Sequence, residues 1–238
     1  MQLYFIRHAQ SNNNLLFLQT GESKGRNEDP ELSRLGQEQA RRLAAFYAAL
    51  PVGRELGPEE RGEHVGFTHL YSSLMVRAIE TGLALSRAVG VPLVGLKDLH
   101  EAGGIYLDDF DTGERNGLPG KSPQELAERF PEVILPEDLN PQGWWNRPFE
   151  AREERLGRAQ RLLDLLLERH GGTEDRVVVV SHAGFYNVFM HLVLGLNGQE
   201  DFWFALNNTG VTRLDFYADE RRVAYMNRLC HLPVDLVS

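Results

Sequence analysis

The chain has 238 residues, 42% of them hydrophobic and 25% charged, and a formal charge of -9. That composition suits a soluble globular protein with one α/β domain and insertions, or two small domains. The acidic balance argues against a nucleic-acid partner, since phosphate backbones are held by basic surface, and it confines any anion to a focused pocket. The single cysteine, Cys230, admits no intramolecular disulfide and fits a reducing cytoplasm.

In chain order, Leu3-Tyr4-Phe5-Ile6 reads as a buried strand that ends in Arg7-His8. The stretch from Met1 to Arg7 has no basic leader and too short an apolar run for a signal peptide. Leu15 to Glu28 reads as a loop, with Lys24 and Arg26 as candidate substrate contacts. Ser33 predicts an N-cap, followed by Leu35, Leu43, Phe46, Tyr47 and Leu50 at helical spacing. Residues 51–64 read as a polar insertion. A second strand, Phe67 to Tyr71, runs into Ser72-Ser73 and then Arg77, with Ser73 capping a helix that carries Leu74, Ala78 and Leu85.

From Lys97 to Glu150 the rhythm breaks in a region rich in Gly, Pro and Asp. It holds one clear short helix, at the capping box Ser122-Pro123-Gln124-Glu125. Residues 97–150 therefore read as a cap insertion over the C-terminal strand ends. Leu156, Leu163, Leu166, Leu167 and His170 mark a helix closed by Gly171-Gly172. Val177 to Leu196 has the length of a membrane span, but Ser181, His182, Gly184, Asn187 and His191 lie within it. A four-valine strand, a turn and a buried helix account for it better, and no membrane partner is expected. Val211 to Tyr217 and Arg222 to Asn227 read as a closing hairpin. Strands interleaved with helices predict an α/β fold, a single domain over 1–238 with a mostly parallel central sheet flanked by helices.

Open α/β sheets bind ligands outside the carboxyl ends of their strands, and here those ends supply Arg7, His8, Arg77 and His182. The set matches one chemistry. Guanidinium groups pair bidentately with phosphoryl oxygens and stay charged. A neutral imidazole attacks phosphorus and splits the transfer into two easier steps. With that much positive charge available, neither a metal nor another cofactor is expected. Competing motifs fail. Gly120-Lys121-Ser122 lacks the P-loop glycine, since Arg115 stands there. Ser181 lacks the glycines of a nucleophile elbow, and the eight histidines show no zinc-helix spacing.

Arg7-His8-Ala9-Gln10-Ser11 with Asn14 resembles the phosphohistidine signature of the histidine phosphatase superfamily, the phosphoglycerate mutase-like group. Asp29-Pro30-Glu31-Leu32-Ser33 with Gly36 and Gln39-Ala40, then Ser72-Ser73 with Arg77-Ala78-Ile79-Glu80-Thr81, resemble the segments that follow. His100-Glu101 and Ser181-His182-Ala183-Gly184 are similar to the last two. The resemblance implies that His8 is the nucleophile and that Glu101 is the acid-base group, ahead of Asp98 and Asp108. It implies that Arg7, Ser11, Asn14, Arg77, His182 and Ala183 hold the phosphoryl group. Glycine is usual in the family where Ala9 and Ala183 stand, so a methyl crowds the pocket slightly at each place.

The core serves phosphatases, mutases and inactive phospho-ligand-binding or signalling domains. Between Asp98 and Asp138 lie eleven acidic residues and three basic ones, Arg115, Lys121 and Arg129. A mutase handling a bisphosphate calls for more positive charge, which Arg147 and Arg152 would supply only by folding inward. The favoured reading is a phosphatase of a small phosphorylated substrate. Trp144-Trp145 and Phe149 are candidates for a wall around the leaving group, with packing as the plainer role. Met190 and Leu194 lie off the main stripe of their helix, as a homodimer face would.

Overall fold

A computed structural model describes residues 1–50, 66–196 and 202–238, so the polar insertion at 51–64 lies outside the described residues. Strand β1 (Gln2–Arg7) leads to helices α1 (Asn12–Thr20) and α2 (Arg34–Ala49), then β2 (His69–Ser73), α3 (Val76–Val89) and β3 (Leu93–Leu96). A small hairpin, β4 (Tyr106–Asp108) and β5 (Arg115–Gly117), precedes α4 (Pro123–Arg129) and β6 (Val133–Ile134). The chain closes with α5 (Arg152–His170), β7 (Arg176–Ser181), α6 (Ala183–Leu194), β8 (Val211–Phe216) and β9 (Arg221–Arg228).

Seven strands form one sheet in the order β6-β3-β2-β7-β1-β8-β9. The first five run parallel and the closing hairpin is antiparallel. The expected α/β class is what folds. The three strands whose ends carry the reactive residues, β2, β7 and β1, lie side by side, with Arg7 level with Ser181.

The apolar runs are continuous because both faces are covered. Tyr4, Ile6, Val178 and Val180 face a core shared with Leu43, Tyr47, Ala78 and Ile79 of α2 and α3. Leu3, Phe5, Val177 and Val179 face the other way, onto Leu162, Leu166, Phe185 and Phe189 of α5 and α6. Helix α2 buries Gly36, Gln39, Ala40, Leu43, Ala44 and Tyr47, the three-and-four spacing of one stripe, and Ser33 caps it through Gly36 N.

Several expectations change. Ser73 does not cap α3: it is the last residue of β2, its Oγ accepts from Met75 N, and the helix begins at Val76. Leu15 to Thr20 is helical, not loop, because Ser11 and Asn14 build a capping box that starts α1. Residues 97–150 are not wholly a cap. Ile134 and Val133 pair with β3 and extend the main sheet, a two-residue strand too short to show a period. Leu156 is exposed, since the buried stripe of α5 runs through Arg158, Ala159, Leu162, Leu163, Leu166 and His170. Met190 is fully buried, so only Leu194 of the suggested dimer face reaches the surface. Among the described residues, no helix is long and apolar enough to cross a membrane.

Candidate active site

His8 follows β1 directly, and its backbone N–H donates to Ser181 O of the neighbouring strand. The next residue, Ala9, donates its N–H to Thr81 Oγ1 on α3. Asn208 Nδ2 donates to the His8 carbonyl at 2.9 Å. The main chain at His8 is therefore tied to three elements. Gly36 is also required here, since a Cβ at that position would stand 2.0 Å from the Gln10 carbonyl oxygen.

The imidazole is set with equal care. Nδ1 lies 2.7 Å from the Ala9 carbonyl, so the proton belongs on Nδ1 and the lone pair on Nε2. Arg77 Nε donates to that Nε2 at 3.2 Å. Burial, then the charges of Arg77 and Arg7, hold the His8 pKa well below the usual histidine value, against a smaller pull from the Ala9 carbonyl. His8 is thus neutral at physiological pH, with its Nε2 lone pair directed among cations.

Around it stand the residues singled out from the sequence. A pocket of about 250 Å³ is lined by Arg7, His8, Ser11, Asn14, Arg77 and Glu101, joined by Asn13, Phe17, Arg26 and Tyr106. Burial depresses the Arg7 pKa to about 10, partly offset by Glu101, which leaves it charged at neutral pH. Arg7 Nη1 donates to Leu206 O while its Nε is buried without a partner among the described residues. His182 packs beside His8 with ring centroids 5.0 Å apart, and both its ring nitrogens are buried and unpartnered among the described residues. Buried polar atoms normally have partners, and these three nitrogens beside His8 lack one among the described residues.

Glu101 is held at the first turn of α6. Its carboxylate accepts from Gly184 N at 3.2 Å and Phe185 N at 2.9 Å, and from Ala102 N. A Cβ at Gly184 would fall 2.4 Å from Glu101 Oε1. Behind it, Arg158 is fully buried, bidentate to Glu150, and donates to the carbonyls of Asp98 and His100. Ser181 Oγ donates to Leu99 O, so Ser181 anchors the acid-bearing turn.

Other expected residues fall elsewhere. Neither Ala183 nor His182 lines the pocket, and His182 is fully buried behind the His8 ring. Ala9 is fully buried against Leu32 and Ala40, so its methyl fills a packing site and does not crowd the pocket. Ser11 lines the pocket, yet its hydroxyl serves the α1 cap, donating to Asn14 Oδ1 and accepting from Asn14 N. Asp98 pairs with Arg161 away from the site. Asp108 belongs to an adjoining cavity with Lys24, Arg26, Tyr106 and Arg115. Arg147 lies over the Trp145 ring at 3.9 Å and Arg152 lines a separate cavity, so neither folds inward. Trp144 and Trp145 are buried packing residues, while Phe149 meets Tyr106 edge-on at 4.7 Å.

Sequence reasoning missed several contributors. Asp29 is buried, accepts from Val76 N at 3.0 Å, and stands 3.8 Å from Arg77 Nη1. Burial raises its pKa to about 6, against the lowering pull of Arg77 and Val76 N. Asn208, Tyr106 and Arg158 were also missed, while Asp29 and Thr81 stood in the quoted motifs without a role. For Asn208 the signal is the Asn207-Asn208-Thr209-Gly210 cluster, that of a tight turn, and Thr209 indeed has φ +59°.

The arginines and histidines singled out from the sequence are thus brought together on a three-layer α/β scaffold. The model of the histidine phosphatase superfamily (branch 1) matches residues 3–229, and the chain belongs to that family. Over 231 residues it is 27% identical to "Putative phosphoserine phosphatase 2" of Hydrogenobacter thermophilus, covering 97% of each chain. Phosphoserine phosphatase of Entamoeba histolytica, solved with 3-phosphoglyceric acid, superposes with a TM-score of 0.60 at 22% identity, over 98% of this chain and 99% of that one. A mycobacterial glucosyl-3-phosphoglycerate phosphatase, solved with VO3, gives 0.58 at 19% identity, over 95% and 98%. These two likenesses are of fold.

Proposed function

We propose that this protein hydrolyses phosphomonoesters of small metabolites through a phosphohistidine formed on His8. The observation that carries the reading is the state of that ring: a neutral imidazole, its Nδ1–H bound to the Ala9 carbonyl and its Nε2 accepting from Arg77 Nε, a contact that an incoming phosphoryl oxygen would take over, in a pocket lined by Arg7 and Arg77. Nε2 attacks phosphorus, the ester P–O bond breaks, and the leaving oxygen takes a proton from Glu101. The Glu101 carboxylate then accepts a proton from water as that water attacks the phosphohistidine. Inorganic phosphate leaves and His8 is restored. Arg7, Arg77, His182 and Asn14 hold the three phosphoryl oxygens, where charge develops in the transition state. Asn14 Oδ1 is taken up by Ser11 and Asn208, so Nδ2 is its donor to the ligand.

The cavity at the mouth of the pocket carries mixed charge, since Arg26 and Arg115 both pair with Asp108. Arg26 lies 4.4 Å over the Tyr106 ring and shares the adjoining cavity with Lys24 and Arg115. The relatives named for phosphoserine and glucosyl-3-phosphoglycerate make phosphorylated hydroxy and amino acids the first substrates to try. The decisive experiment is a rapid quench with radiolabelled substrate. Wild type is expected to hold an acid-labile, base-stable label at His8. His8→Ala should lose it, and His182→Ala should slow labelling without moving it. A label that persists in His8→Ala, or maps to Ser11 or Ser181, would falsify the assignment. Phosphate release without isomerisation of 3-phosphoglycerate separates this reading from a mutase.

A further inference from the structure

Among the described residues, His69, His170 and Asp175 alone bring three groups with ligating atoms within 4.8 Å of one another. His69 opens β2, Asp175 immediately precedes β7, and His170 closes α5. His69 pairs in register with Val177 at the start of both strands, so the cluster lies at the end of the sheet opposite His8. His170 Nδ1 stands 2.9 Å and His69 Nδ1 3.8 Å from Asp175 Oδ2, and the two imidazoles are 4.3 Å apart.

We infer that this cluster is a binding site for a borderline divalent transition ion of the zinc type, remote from the chemistry and structural in role. Two imidazoles and one carboxylate are a zinc donor set, and a tetrahedral ion with ligands at roughly 2.0–2.1 Å sets its donors about 3.3 Å apart. The observed separations of 2.9 and 3.8 Å straddle that value. The supporting contact is also in place: His170 Nε2 meets the buried Tyr71 hydroxyl at 3.0 Å, which fixes the ring with Nδ1 turned to the cluster. The carbonyl end of α5 adds negative potential beside His170, which favours a cation. His69 Nδ1 also contacts Thr68 Oγ1 at 2.9 Å. Ligation turns this half-exposed ring off the hydroxyl or presents Nε2. Solvent reaches the cluster through His69 and Asp175, leaving a position for water. A bound ion would pin the end of α5 to the starts of β2 and β7, without touching phosphoryl transfer.

The test is a titration of chelator-treated protein with Co²⁺, followed by displacement with Zn²⁺. One equivalent of Co²⁺ should produce visible ligand-field absorption that Zn²⁺ removes, and Zn²⁺ should raise the thermal midpoint by several degrees. His69→Ala and the near-isosteric Asp175→Asn should each weaken binding by roughly 10- to 100-fold or more, while chelated samples of both keep wild-type phosphomonoester turnover. Absence of a saturable one-to-one signal, or titrations unchanged in both variants, would overturn the site. The network would then be only a hydrogen-bonded histidine–aspartate–tyrosine brace.

Discussion

Two carboxylates near the phosphoryl pocket differ in kind, and the difference is testable residue by residue. Glu101 receives three backbone N–H bonds and faces the pocket. As the proton donor it should contribute on the order of 100- to 10,000-fold. Glu101→Gln is expected to lose that factor with an alkyl phosphate and much less with an aryl phosphate, whose leaving group needs little protonation. Equal losses on both would point to another acid. Asp29 instead orients Arg77 from behind and is itself buried, with its pKa raised to about 6. A raised acid pKa means the folded state binds the proton more tightly than the unfolded chain. Its stability contribution is present below about pH 4 and is lost as pH rises through about 6. Asp29→Asn should therefore unfold later than wild type at pH 8, by about 1–3 kcal/mol, with the difference fading by pH 4. It should also lower kcat/KM, because Arg77 loses its partner. Denaturant curves at the two pH values check the sign.

At the scale of elements, the site depends on close approach between a helix start and a turn. The first turn of α6 delivers Gly184 and Phe185 N–H groups to Glu101, and Gly184 has no room for a side chain there. Gly184→Ala should displace the Glu101 carboxylate. A shift near 1 Å at a reacting group costs on the order of 100-fold in turnover. The expected result is a turnover loss of that order, larger for alkyl than for aryl phosphates, with a cooperative thermal transition retained. Normal kinetics in this variant would show that Glu101 tolerates displacement and is no proton donor. Arg158 and Glu150 matter for the same turn, since they hold the carbonyls of Asp98 and His100 from inside the core.

At the scale of the molecule, the chain is acidic yet concentrates two arginines and two histidines in one place, with Arg77, His8 and His182 buried and Arg7 half-buried. Fixed positive charge aimed at a developing anion is a means of stabilising phosphoryl transfer that calls for no metal. Turnover of a phosphomonoester is expected to survive exhaustive chelation and dialysis. Loss that returns with magnesium or zinc would contradict it. Because the histidine–aspartate cluster lies at the far end of the sheet, zinc added back should shift the unfolding midpoint and leave the rate unchanged.

The sequence by itself determined the three central strands and the closing hairpin, though not β3 or β6, and it brought Arg7, His8, Arg77 and His182 forward as candidates. Runs such as Leu3-Tyr4-Phe5-Ile6 and Val177 to Val180 are continuous because both faces are covered, and that periodicity survives in one dimension. The short motifs around His8, Arg77, Glu101 and His182 are local, so they too can be read along the chain. What depended on distance in sequence could not be. Asp29 meets Arg77 across 48 positions, Arg158 meets His100 across 58, and His69 meets Asp175 across 106. A charged residue at any of these places looks like surface until the fold supplies its partner. The same holds for Met190, which lies off the apolar stripe yet is buried because α6 packs against both the sheet and α5. Pairing across the fold is set by packing of whole layers, and no local pattern encodes it.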